Sequence, residues 1–169
     1  MRTDEMILAF FPCTRFEAII PLAFRGQQIQ QKNWTDRQKL MYSMKLHKEL
    51  HELYMLISQM VVICIDRNLK MVIENPYTQP HYLTQYWCLK PKVIDKDRRE
   101  HGDKFKKPTQ FWFINCEPKD NFIFEPRIVK PTMAVMRCKA RENLTIQEAR
   151  SEMTPEYANR FLREFILDS

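Results

Sequence analysis

Residues 6–11 (MILAFF) are apolar at every position, and the run stops at Pro12. Such a run, with no polar alternation, predicts a strand buried on both faces. Residues 13–34 mix turn-forming and polar pieces ("FRGQQIQQKNW") and read as a long loop. Thr35 then opens "TDRQ", a capping box with Gln38 at the third helical position, which predicts a helix reaching about residue 67. Leu40, Met44, Leu50, Leu53, Tyr54, Ile57, Met60, Val61 and Cys64 keep helical spacing along it. A β-branched run at 71–73 follows directly and ends at Glu74-Asn75-Pro76. Strand, helical crossover and second strand predict a right-handed βαβ unit in a parallel sheet.

Beyond it, residues 77–107 are aromatic, basic and irregular, and 109–116 (TQFWFINC) predict a third strand. Strand fragments are expected at 122–124 and 132–137. The last segment, "MTPEYANRFLREFI", predicts a helix with Thr154 as N-cap and Pro155 in the first turn. Tyr157, Phe161, Leu162, Phe165 and Ile166 form its apolar stripe. The expected class is α/β, as one domain over 1–169, with a long crossover helix and a C-terminal helix.

Composition narrows what such a domain can do. With only two glycines, Gly26 and Gly102, the chain has no glycine-rich phosphate loop. Five cysteines at irregular spacing, without C-x-x-C, suggest reduced thiols in a cytoplasmic protein rather than a disulfide framework or zinc cluster. No apolar run approaches a membrane span, and the acidic start is unlike a secretory signal. The net charge is +6, with eight Lys/Arg against four acids over 90–107 and five against none over 127–141. Such clusters suit a phosphate-binding face, although a merely solvated surface has the same composition.

Two strand ends carry the chemistry. Ligands of parallel α/β sheets bind beyond the carboxyl ends of the strands. There the chain puts Pro12-Cys13-Thr14 at one end and Glu74-Asn75-Pro76 at another. If the strands are neighbours, a thiol and a carboxyl group converge, a pairing suited to attack on an electron-poor heteroaromatic ring. Read alone, a Cys in this position is more often a core thiol, and a Glu at a strand end usually faces solvent.

"AFFPCT" resembles the Pro-Cys motif of DNA cytosine-5 methyltransferases, and "VIENP" resembles their Glu-Asn-Val motif. Gln79-Pro80, "KKPTQFWF" and the terminal helix are similar to segments of the compact, phage-type members. The resemblance implies part of a Rossmann-like methyltransferase sheet. It implies that a flipped cytosine is attacked at C6 by Cys13 while Glu74 protonates N3, and that C5 then takes a methyl group from S-adenosylmethionine. Pro12, Thr14, Asn75, Pro76, Lys106, Lys107 and Thr109 are then expected around the substrate, with Tyr157 and Asn159 toward the cofactor. No metal is implied.

The family's Phe-x-Gly-x-Gly strand has no counterpart in the twelve residues before Cys13, and its Gln-x-Arg-x-Arg strand is absent. The expectation is therefore the C-terminal, catalytic-motif part of the fold, with an incomplete cofactor site. It would be a piece of a larger enzyme, one chain of a split enzyme or a remnant. A sheet open in this way predicts self-association or a second chain, alongside DNA as partner. Three other readings compete. One is a thymidylate-synthase-type thiol enzyme. Another is a metal site at His47 and His51 in "HKELH". The third is a non-catalytic DNA- or protein-binding module in which Tyr77, Tyr82, Tyr86, Trp87 and Trp112 stack on bases.

Overall fold

The structure is a computed structural model that describes residues 5–17, 20–123 and 152–168. The expected strand fragment at 132–137 and the basic run at 127–141 lie outside these residues. Phe122 and Ile123 are described but belong to no strand.

Among the described residues the fold is mixed α/β around an open four-stranded sheet in the order β1-β2-β4-β3. Strand β1 (Met6–Phe10) pairs in parallel with β2 (Lys70–Pro76), and helix α2 (Asp36–Asp66) makes the crossover. Strand β4 (Thr109–Ile114) runs antiparallel to both β2 and β3 (Val93–Asp95), so the parallel βαβ unit sits in a mixed sheet rather than a parallel one. A short helix α1 (Ile20–Phe24) precedes α2, helix α3 (Tyr82–Tyr86) follows β2, and helix α4 (Pro155–Phe161) continues as a π turn to Ile166. No helix among the described residues is long and apolar enough to cross a membrane.

Both long-helix signals have their expected chemistry. The Thr35 and Gln38 side chains cap each other's backbone at the start of α2, and the Thr154 hydroxyl accepts from the Tyr157 amide at α4. Strand alternation then sorts the core into two layers. Met71, Ile73, Trp112 and Ile114 face α2, where they meet Leu50, Ile57, Val61 and Cys64. Val72, Phe111 and Phe113 face the other way, against Tyr157 and Phe161 of α4.

Three expectations need correction. β1 is not buried on both faces: it is the edge of the sheet among the described residues, and Leu8 (42 % exposed) and Phe10 (62 % exposed) point to the α4 side, where α4 covers them only in part. An unbroken apolar run says nothing about which strands flank it. Leu40 and Met44 belong to no core stripe either: they are exposed, turned away from the side of α2 on which Leu46, Leu50, Ile57, Val61 and Cys64 are buried. The segment after β1 is not a free loop. It contains α1 and a 3-10 turn at Ile29–Gln31, and it buries Phe16, Ile20, Ala23 and Gln31.

Helix α4 docks through the 98–103 turn. Gly102 closes that turn at φ +97°, which favours glycine, and a Cβ there would lie 3.1 Å from Glu156 Cβ. Its carbonyl accepts from the Thr154 hydroxyl at 3.0 Å. The turn thereby fixes where the C-terminal helix begins.

Candidate active site

The parallel register pairs Phe10 with Glu74, so β1 and β2 end at the same level, and Cys13 follows in the turn just past β1. That turn is closed by the Phe16 amide donating to the Cys13 carbonyl at 2.8 Å. Phe16 is its anchor: the ring is buried against His81 and Tyr82, and its carbonyl accepts from the Tyr82 amide at 2.9 Å. Arg15 adds an ion pair to Glu49 of α2 at 2.6 Å.

The second turn is held from within. Asn75 is fully buried, donates Nδ2 to the Glu74 carbonyl at 2.9 Å and meets His81 Nε2 through Oδ1 at 3.2 Å. Gln110 Nε2 donates to the Pro76 carbonyl, and its Oε1 accepts from the Thr84 hydroxyl. Burial pushes the His81 imidazole down to about 4, so it is neutral at physiological pH. Phe16, His81 and Asn75 thus join the thiol-bearing turn to the Glu-Asn turn through packed and hydrogen-bonded side chains.

Glu74 points to the opposite face from Asn75. It is only 8 % exposed, and its Oε1 is buried without a hydrogen-bond partner. Burial raises its pKa, with Lys107 and Arg98 pulling the other way. A buried carboxyl group of this kind holds its proton more readily than a solvated one, as a general acid must. The carboxyl lies at the base of a cleft of about 60 Å³ lined by Leu8, Phe10, Phe111, Phe161 and Leu162.

Cys13 is half-buried, and its Sγ donates to Glu17 Oε1 at 3.0 Å. Burial, the Glu17 bond and the Glu17 charge push the thiol up to about 12, opposed by Lys107 and reinforced by Glu74. The thiol is therefore protonated at rest. Lys107 lies in the electrostatic reach of both Cys13 and Glu74, because the Pro76–Thr109 pairing sets the start of β4 beside the end of β2.

The other expected site residues divide. Pro12, Thr14 and Lys106 are exposed, and Lys107 is half-buried. Pro76 and Thr109 are buried, with the Thr109 hydroxyl turned back to the Lys107 carbonyl at 3.0 Å. Asn159 is exposed, whereas Tyr157 is buried beneath the Arg98 guanidinium, 4.4 Å from its ring centre. Burial and the nearby Asp95 charge raise the pKa of the Tyr157 hydroxyl. Trp87 and Trp112 are core residues in contact with each other, so of the five aromatic residues named for stacking they are unavailable, and only Tyr86 is largely exposed. His47 stacks on Phe24 at 3.9 Å, and no group of three or more potential metal ligands occurs among the described residues.

Sequence reasoning missed Glu17, His81 and Arg98. Glu17 follows Cys13 at a turn-like interval, the one local signal available. Arg98 looked like part of a basic surface run; it is buried, paired with Asp103 and capable of reaching Glu74 electrostatically. Asp97–Arg99 and Asp95–His101 contacts absorb more of that run. No protein-family model matches this chain, and neither a curated protein nor a solved structure does.

Proposed function

We propose that the chain carries out the covalent step of DNA cytosine-5 methyltransferase chemistry, with Cys13 adding to C6 of a cytosine while Glu74 protonates N3. One observation carries this reading: the parallel register brings a turn-borne thiol and a buried, unpartnered carboxyl group to the ends of neighbouring strands, with Lys107 influencing both. The open mixed sheet and its long crossover helix agree with part of a Rossmann-like methyltransferase fold. Lys106 and the half-buried Lys107 are suited to neighbouring phosphates.

S-adenosylmethionine does not fit the cleft beside Glu74. The apolar cleft beside Glu74 holds about 60 Å³, well below the roughly 300 Å³ at which small-molecule sites begin. Tyr157 is packed under Arg98 and Asn159 faces solvent. The proposal therefore ends at the adduct. The β1 edge, which no strand pairs among the described residues and where Leu8 and Phe10 are exposed, is assigned to a second chain or second copy; light scattering that finds a monodisperse monomer at high concentration counts against self-association.

Addition to C6 makes C5 nucleophilic, so reversal in heavy water leaves deuterium at C5 without a methyl donor. The wild-type chain should exchange the C5 proton of cytosine in DNA, and Cys13→Ala should not. Exchange absent from both, with DNA binding equal in both, would instead establish the non-catalytic binding module. The protonated resting state of Cys13 is the observation that favours that second reading.

A further inference from the structure

The reaction proposed above needs a destination for the thiol proton. Among the groups that face Cys13, Lys107 is cationic and Glu74 is the acid assigned to the ring nitrogen. Glu17 is the remaining one, and its Oε1 already accepts from Sγ at 3.0 Å. Its side chain also lines a separate cleft of about 330 Å³ between the post-β1 segment and α3, together with Arg15, Arg25, Tyr82 and Tyr86. Arg25 and Tyr86 are exposed, so this cleft reaches water.

We propose that Glu17 is the general base of the addition step, receiving the Cys13 proton as the C–S bond forms. The inference rests on the covalent chemistry proposed above. The electron count closes within the site. The Sγ lone pair forms the bond to C6, the C5–C6 π pair moves through C4 toward N3, and N3 takes the proton of the Glu74 carboxyl. The thiol proton ends on Glu17, so one negative charge passes from Glu17 to Glu74 and the net charge is unchanged. Reversal returns both protons. Holding the thiol protonated until a ring arrives also protects Cys13 from oxidation and alkylation, because the thiolate is the reactive form.

Glu17→Gln separates this role from mere placement. General bases contribute about 10²- to 10⁴-fold, so C5 exchange by the variant should fall by about that factor at pH 7. Glu74 must hold its proton in both proteins, so the ratio of their rates is what reads the base: the deficit of the variant should shrink about tenfold per pH unit from 7 to 9, as its own thiolate fraction rises. Iodoacetamide labelling of Cys13, read by mass spectrometry with exposed Cys88 as internal reference, should be faster in the variant, which lacks the anion that holds the thiol protonated. Variant exchange equal to wild type at pH 7 would overturn the role of Glu17 and leave the covalent chemistry standing. A deficit of the same size at every pH would overturn it too, as the mark of a misplaced thiol. No exchange by wild type would overturn both.

Discussion

Glu74 and Asn75 are adjacent on one strand, both buried, and differently treated by the fold. Asn75 faces the α2 layer, where His81, Thr84, Gln110 and the Glu74 carbonyl form a closed hydrogen-bonded set. Glu74 faces the α4 layer, where its Oε1 has no partner and two cations act on it only at a distance. A buried polar group without a partner costs free energy; one with its partners complete makes the turn rigid. The lesson is a division of labour at the end of β2. One side chain holds the turn, and the next is kept available.

Glu74→Gln tests that contrast most severely. C5 exchange should fall by about 10²- to 10⁴-fold through loss of the acid, while the melting temperature rises because a buried carboxyl is replaced by an uncharged amide. A variant less stable than wild type would mean that Glu74 is structural and would erase the contrast. The pH dependence of unfolding comes next. The His81 imidazole is pushed down to about 4 by burial, so the unfolded chain takes up the proton first. Its contribution is whole above the ordinary histidine range and is lost as pH falls toward 4, by about 3 kcal/mol in full. Glu74 has the opposite sign, because its raised pKa favours the folded state as pH falls. Urea midpoints at pH 7 and 4.5 should therefore drop for wild type, drop further for Glu74→Gln and flatten for His81→Gln.

Asn75→Ala should cost about 1–3 kcal/mol in urea unfolding by leaving His81 Nε2 unpaired in the core. Equal costs for Asn75→Ala and Glu74→Gln would show the two positions to be alike. The smallest effect is expected from Lys107→Gln. It removes a charge that lowers both Cys13 and Glu74, so the thiol gives up its proton less readily while Glu74 holds its own more firmly; these opposed effects should leave exchange within several-fold of wild type, and stability should change by less than about 0.5 kcal/mol. A loss as large as that of Glu74→Gln would give Lys107 a direct place in the chemistry.

The α2 and α4 caps, both expected parallel strands and the two chemistry-bearing strand ends were legible along the chain. Each rests on neighbours in sequence: a hydroxyl meeting an amide within one turn, or an apolar run of strand length. The flanks of a strand are not local. Apolar β1 therefore read as buried although it is the edge strand among the described residues, and Leu40 and Met44 read as core although they are turned away from the buried side of α2. The same limit explains Arg98, whose burial depends on Asp103, Tyr157 and the Glu152 carbonyl.

For the site itself, the sequence determined which reactive groups exist and that each sits just past a strand. Only the tertiary structure decided their state. The strand register set Cys13 and Glu74 on neighbouring ends, pleat alternation gave Asn75 its partners and denied them to Glu74, and the fold of the 13–17 turn put a carboxylate on the thiol. Those outcomes depend on distances and desolvation among residues far apart in the chain, which residue identity alone does not encode.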